Sequence, residues 1–279
     1  MPTVAEKRRT FRALHEAGCF VIPNPWDVGS ARYLQSLGFK ALATTSSGAA
    51  WSLGLADGAV PLEPMLEHLA AIAAAADVPV NADFLAGFAD APEGVEANVR
   101  RCLATGVAGL SIEDQVPGTE SLYDADLAVE RIRAARSAID AEGGDALLVA
   151  RTECYLTGHA EALDEAARRL TAFAEAGADC LYAPGVRSRD EIAIRVGAVA
   201  PKALNVLVGW PGDLTVAVLA DLGVRRISVG GALARTAWAA FIAAATDIAG
   251  SGRFNSFASG GAAGDLDAFF KADVARRRG

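Results

Sequence analysis

Short apolar runs rich in β-branched residues recur along this chain, each followed by a loop and then by a longer Ala-rich stretch in which apolar positions return every three or four residues. A period near two predicts strands, and a period near 3.6 predicts amphipathic helices. The runs Cys19–Pro23, Lys40–Thr44, Val78–Asp83, Gly109–Glu113, Ala146–Arg151, Asp179–Ala183, Ala203–Val208 and Arg225–Val229 read as eight strands. The clearest helical patterns are Pro61–Ala76, Pro92–Thr105, Asp124–Glu142, Ala160–Ala176 and Gly231–Ala249. Four helices stop on one phrase, SLGFKAL, ATGVAGL, EAGADCL and DLGVRRI, in which a glycine precedes the next strand. Glycine accepts the left-handed conformation that ends a helix without a Cβ clash, so the phrase is a helix-to-strand loop signature.

Eight such units in about 250 residues predict a (β/α)8 TIM barrel of the α/β class. A doubly wound sheet would need a Gly-rich phosphate turn after the first strand, and VIPNPWDVGS has no GxGxxG. One barrel domain is therefore expected over 1–250, with a C-terminal helical tail over 251–279. In that tail, Ser251–Gly260 is rich in Gly, Ser, Phe and Asn, and Asp265–Ala275 carries Leu266, Phe269 and Phe270 on one helical face. That face would cover its own barrel or a neighbouring subunit.

Composition narrows the function classes. With 34 Asp and Glu against 26 Lys and Arg, the formal charge is −8, which lacks the basic footprint of a general nucleic-acid binder. No run reaches the ~18 apolar residues a membrane span requires, and the basic N-terminus is not followed by an apolar segment and cleavage site. A cytoplasmic enzyme is expected. Cys19, Cys102, Cys154 and Cys180 lie far apart and make no zinc spacing with His15, His68 or His159. None of the three histidines stands at a strand end.

In such a barrel the chemistry sits at the C-terminal ends of the strands. Those ends carry Thr44 to Gly48, Asn81 and Asp83, Ser111, Glu113 and Asp114, Arg151 to Glu153, and Asn205. Asp83 and Glu113, on adjacent strands, suit a hard divalent cation such as Mg2+ held partly through water, with Asp57 within reach. Their alternative is to cap the following helices. Arg151 ends the apolar strand LLVAR, where a buried guanidinium needs a carboxylate or a bound anion; its alternative is an internal ion pair with Glu113 or Glu153. TTSSGAA offers the hydroxyls of Thr45, Ser46 and Ser47, and at Gly48 a close backbone approach, as a carboxylate cradle. Trp26 can wall a pocket, while Asp27 beside it suits a helix cap.

With these residues in place, the chain resembles the isocitrate lyase/phosphoenolpyruvate mutase superfamily from Phe20 to about Arg235. The resemblance rests on NPWDVGSARYLQSLGFKALATTSSG, SLGLADG, VPVNADF, GLSIEDQV, LLVARTE, EAGAD and NVLV. It implies a Mg2+-dependent barrel enzyme acting beside an enolate of a small α-keto or α-hydroxy acid. By position it implies Asp83, Glu113 and Asp57 around the metal. Trp26, Thr45, Ser46, Ser47, Gly48, Arg151, Glu153 and Asn205 are then expected around the substrate carboxylates. It also implies a homo-oligomer, dimer or tetramer, that exchanges C-terminal helices.

Three departures stand out. Asn81 occupies a position where the family carries Asp, so weaker metal binding is expected. After IEDQV the isocitrate and methylisocitrate lyases carry a loop with Cys-Gly-His, whereas this chain reads PGTESLYD. A histidine of some decarboxylase members is replaced by SVGGALAR. The expected activity is carbon–carbon lysis of a 2-hydroxy or 2-oxo di- or tricarboxylate with Arg151 and Glu113 catalytic, the proton coming from Tyr123, Glu120 or Glu153. The alternatives are an oxaloacetate-type decarboxylase or hydrolase, a phosphonomutase, or an α-keto-acid binder with vestigial activity.

Overall fold

The computed structural model describes residues 2–278 and divides into two compact units, Pro2–Gly231 and the residues from Ala232 onward. In the first, helix α1 (Val4–Glu16) precedes β1 (Phe20–Ile22), α2 (Val28–Ser36), β2 (Leu42–Ala43), α3 (Ser46–Ser52) and α4 (Leu62–Ala75). The chain continues through β3 (Val80–Asp83), α5 (Pro92–Ala104), β4 (Gly109–Glu113), α6 (Ala125–Ala141), β5 (Leu147–Arg151) and α7 (Ala162–Glu175). It ends with β6 (Cys180–Tyr182), α8 (Arg189–Val199), β7 (Ala203–Leu207), α9 (Val216–Asp221) and β8 (Arg226–Ser228).

All eight strands pair in parallel in the order β1-β8-β7-β6-β5-β4-β3-β2. Between β1 and β2 the Ala43 N–H donates to the Pro23 carbonyl at 3.1 Å, so the sheet curls into a nearly closed barrel with helices between its strands. This is the (β/α)8 architecture the spacing predicts. The shared helix-stop glycines behave as that spacing requires, with φ of 88° at Gly38, 87° at Gly106, 103° at Gly177 and 86° at Gly223.

The hydroxyl-rich TTSSGAA run is helical from Ser46, where it forms α3, with Thr45 as its N-cap. Ala49 and Ala50 are buried and Ala50 joins the main core, so packing imposes a helix on residues of modest helical preference.

Phe11 of α1 is fully buried against Ala41, Ala108 and Leu147, residues at or just before the starts of β2, β4 and β5. The N-terminal end of the barrel is thereby filled with apolar side chains. On the same helix the His15 ring packs edge-on to Phe11 and Phe20 at centroid distances of 4.7 and 5.1 Å. Burial, followed by the positive charge of Arg226, lowers its pKa from 6.5 to about 3. The unfolded chain therefore takes up a proton below pH 6.5 that the folded chain refuses, and stability present above pH 6.5 is lost as the pH falls towards 3. The contribution reaches about 1.4 kcal/mol per pH unit. Melting curves from pH 7 to 5 should fall more steeply for the wild type than for His15→Leu; equal slopes would place the ring in solvent.

The second unit holds α10 (Ala232–Ser251), a 3-10 stretch (Asn255–Ala263) and α11 (Leu266–Arg278). Within it Asp247 accepts from Ser251 and Ser256, and Asp273 pairs with Arg276 and Arg277. Trp238, Phe241 and Ile242 of α10 are exposed. Among the described residues no helix is long and apolar enough to cross a membrane.

Candidate active site

The strand register brings the site together. Glu113, Arg151 and Tyr182 are the last residues of three neighbouring strands and stand side by side, while Asp83 ends β3 on the far side of β4. The Arg151 guanidinium lies 3.3 Å from Glu113 Oε2 and 3.7 Å from Asp83 Oδ1, and its Nε donates to Glu153 Oε1. The internal ion pair that is the alternative reading of Arg151 is present, and Asp83 joins Glu113 and Glu153 in facing the one guanidinium. Asp83 and Glu113 do not cap the helices that follow them; α5 has Ala91 as its N-cap, with no side-chain cap bond, and α6 is capped by Asp124.

The acidic groups outnumber the cation, and their protonation reflects it. Burial, only partly offset by Arg151, pushes Glu113 well above the usual carboxylate range, and Glu153, Asp83 and Asp57 push it further. Burial raises Glu153 as well. Asp57 is exposed on the rim, yet partial desolvation of its carboxyl and then the charge of Asp83 raise its pKa. Arg151 is held protonated far above its ordinary value because its acidic neighbours outweigh its own desolvation.

The first turn of α3 faces this cluster. The Ser46 N–H donates to Asp83 Oδ2 at 2.9 Å, and Thr44 Oγ1 receives the Asp83 N–H at 2.9 Å. The Gly48 N–H turns to its own cap, Thr45 Oγ1, which also contacts Ser47 Oγ at 3.0 Å. Hydroxyls are therefore gathered beside Asp83, while two of the expected backbone donors already have protein acceptors. Gly231 closes in from the other side: a Cβ there would stand 2.7 Å from Ser47 Oγ.

Asp114 points away from the cluster and braces it. It accepts the Glu153 N–H at 2.9 Å and pairs with Arg169 at 3.2 Å. Tyr123, one of the expected proton sources, donates its hydroxyl to Asp90, and burial followed by that bond pushes it up to about 12. Glu120 is exposed on the hairpin that carries the Gln115–Leu122 bridge. Of the three expected proton sources, only Glu153 touches Arg151.

Asn205 and Trp26 lie apart from this contact set. Asn205 is buried in the barrel, donating to Ser228 Oγ and accepting from Arg226 Nε, both at 2.9 Å. Trp26 is half-buried on the β1–α2 loop, where its N–H bonds Ser30 inside the α2 cap formed by Asp27. Asn81 faces Arg226, whose Nη1 is 3.4 Å from its Oδ1. Sequence reasoning missed Tyr182, whose ring lies 5.2 Å from the Arg151 guanidinium carbon. It also missed Asn24, which ties Thr44 to Val229 and Gly230. A polar or aromatic residue at the end of an apolar strand marks both, the same signal that marks Arg151.

Comparison with known proteins shows the family. Residues 11–249 match the phosphoenolpyruvate phosphomutase family. A candidate lyase/mutase from Burkholderia cenocepacia J2315 is 45% identical and superposes with a TM-score of 0.91, over 96% of this chain and 97% of that one. An uncharacterized protein of Mycobacterium tuberculosis H37Rv is 36% identical over 79% of this chain and 81% of its own. The crystal structure of a 2,3-dimethylmalate lyase matches with a TM-score of 0.81 and 29% identity over 99% of each chain. The chain belongs to the phosphoenolpyruvate mutase/isocitrate lyase superfamily, whose members act as lyases or mutases.

Proposed function

We propose that this protein is a Mg2+-dependent carbon–carbon lyase that cleaves a small 2-hydroxy or 2-oxo di- or tricarboxylate beside an enolate. The observation that carries this reading is the convergence of Asp83, Glu113 and Glu153 on Arg151 at the C-terminal ends of the strands. Hard oxygen donors in excess over the local cation fit a divalent ion electrostatically. Among the described residues no group of three Asp, Glu, His or Cys side chains is arranged to hold a metal ion, so a Mg2+ ion here would be held by one or two carboxylates and its own waters. Asp83 and Glu113, with Asp57 from the rim, would hold it. When bound, the ion supplies Lewis-acid stabilisation of the oxygen on which negative charge grows.

The chain's own residues do the rest. Arg151 orients a substrate carboxylate and stabilises the developing enolate. Thr45, Ser46, Ser47 and Gly48 line the opposite side. Glu153, kept in place by Arg151 and Asp114, holds the proton returned to the enolate carbon. Assembly into a dimer or tetramer through the C-terminal unit belongs to the same reading, supported by the exposed Trp238, Phe241 and Ile242 of α10.

A second reading is favoured by one observation. The β4–α6 loop is a short hairpin without Cys, His or Lys, and its Tyr123 is tied to Asp90. A decarboxylase or hydrolase acting on oxaloacetate would need no acid there. Turnover of isocitrate, 2-methylisocitrate, 2,3-dimethylmalate and oxaloacetate, assayed with Mg2+ and with chelator, separates the cases. Mg2+-dependent release of a 2-oxo acid from a hydroxy-tricarboxylate or hydroxy-dicarboxylate is the expected result. Cleavage of oxaloacetate alone selects the second reading, and calorimetric binding without any turnover makes the protein a keto-acid binder.

A further inference from the structure

The segment joining β3 to α5 takes a backbone course that its residues would not choose. Leu85 and Phe88 have φ of 49° and 57°, and Gly87 between them has 77°. Left-handed backbone suits glycine and is disfavoured for side chains like these. Such conformations persist where the surroundings over-determine them, and they gather at functional sites.

What over-determines this one is a set of side chains that takes up its carbonyls in turn. The Arg131 guanidinium, from α6, donates to the carbonyls of Ala86, Ala89 and Asp90, the last two at 2.5 and 2.6 Å. Asn98, from α5, donates to those of Gly87 and Phe88 at 3.0 and 3.2 Å. The Leu85 carbonyl accepts the Glu113 N–H at 3.0 Å. Six successive carbonyls, 85 to 90, are therefore held from outside the segment. Arg131 is only 1% exposed and lies 4.0 Å from the centre of the Tyr123 ring, whose hydroxyl in turn holds the Asp90 carboxylate. Asp90 and Asp114 act on it through space, but its hydrogen bonds go to the carbonyls. A buried cation that meets carbonyls and a ring face in place of an acid is a costly arrangement, and here its geometry serves the backbone.

That backbone begins at Asp83 and, through Leu85, fixes the amide of Glu113. We infer that Arg131 is a positioning residue for the acidic pair: it forces the 84–91 segment into the left-handed course that sets Asp83 and Glu113 at their separation. The inference rests on the reading of those two carboxylates as the ion's holders. Arg131 touches neither the ion nor the substrate; it acts through the carbonyls it binds.

The test uses the full chain and Mg2+ alone as the probe. Wild type, Arg131→Ala and Arg131→Lys are compared by calorimetric Mg2+ titration, melting temperature and amide exchange of residues 84–91 and of Glu113. Arg131→Ala should bind Mg2+ at least 10-fold more weakly and exchange faster at Glu113, and millimolar guanidinium, far below denaturing levels, should restore both. Lysine should rescue little, because an ammonium lacks the planar fork that reaches three carbonyls. A general packing defect would lower the melting temperature without being repaired by guanidinium. Unchanged Mg2+ affinity and exchange in a folded Arg131→Ala overturn the inference. Should that variant fail to fold, Asn98→Ala decides, with several-fold weaker binding expected and an unchanged Glu113 amide overturning it. Exchange needs no metal, so a wild type that takes no Mg2+ sinks the ion-binding function separately, while the amide data still decide whether Arg131 sets the segment.

Discussion

Arg151→Met should cost at least 10^3-fold in kcat/KM and should also destabilise the fold, a combination no other residue of the cluster would give. The guanidinium is the shared counter-charge of Asp83, Glu113 and Glu153, and the Glu153 side chain is only 1% exposed. Removing one partner of a buried pair leaves an uncompensated charge, at a cost of about 3–5 kcal/mol. For a domain of this size that lowers the melting temperature by roughly 6–20 °C. The deficit has a defined pH direction. Burial already raises Glu113 and Glu153, and without Arg151 both rise further, so the folded variant holds protons that the unfolded chain releases. Stability present below the ordinary carboxylate pKa is then lost as pH rises through the folded values. Melting of Arg151→Met in chelator should fall progressively behind the wild type from pH 5 to 9. A constant gap would mean that Arg151 is not the counter-ion of these acids. Arg151→Lys should restore part of the stability and little activity, since an ammonium cannot make the forked contact with a carboxylate.

Much of this architecture was legible because it rests on short-range rules. The glycine that ends each helix and the apolar run that follows it are local, so the strand count came out of the sequence even though β2 spans only Leu42–Ala43. Asp83, Glu113 and Arg151 stood out because a charged residue ending an apolar strand needs a partner. What sequence patterns could not supply were the long-range partners. Nothing in Ser46–Ser52 announces α3, whose helicity follows from the Thr45 cap and the burial of Ala49 and Ala50. Tyr123 carries a plausible proton, but its partner Asp90 lies 33 positions away. Arg131 looks like any helical arginine until its carbonyl partners, 41 to 45 positions earlier, are seen. Asn205 was correctly placed on a strand, yet its Ser228 and Arg226 partners draw it into the barrel interior.

Asp83→Asn should weaken Mg2+ binding by about 10–100-fold or more and reduce Mg2+-dependent turnover at least as far, with the fold retained. The substitution keeps volume and removes one charge from the cluster, so a packing effect is excluded. The amide also cannot match its neighbours. Asp83 Oδ2 accepts the Ser46 N–H at 2.9 Å while Oδ1 faces Arg151 Nη1 at 3.7 Å; whichever way an asparagine turns, its NH2 meets another donor. Asn81 offers no substitute, although residues two apart on a strand share a face. Its Oδ1 is turned to Arg226 and its Nδ2 to the Ala82 carbonyl. A charge added at 81 would be answered first by the buried Arg226 guanidinium, not by an ion beside Glu113. Asp83 is thus the strand-3 carboxylate on which the proposed ion would depend. Calorimetric Mg2+ titrations and initial rates against Mg2+ concentration measure the effect, and an Asp83→Asn variant with wild-type affinity and rate would remove the β3 carboxylate from the ion's surroundings and the metal-dependent lyase reading with it.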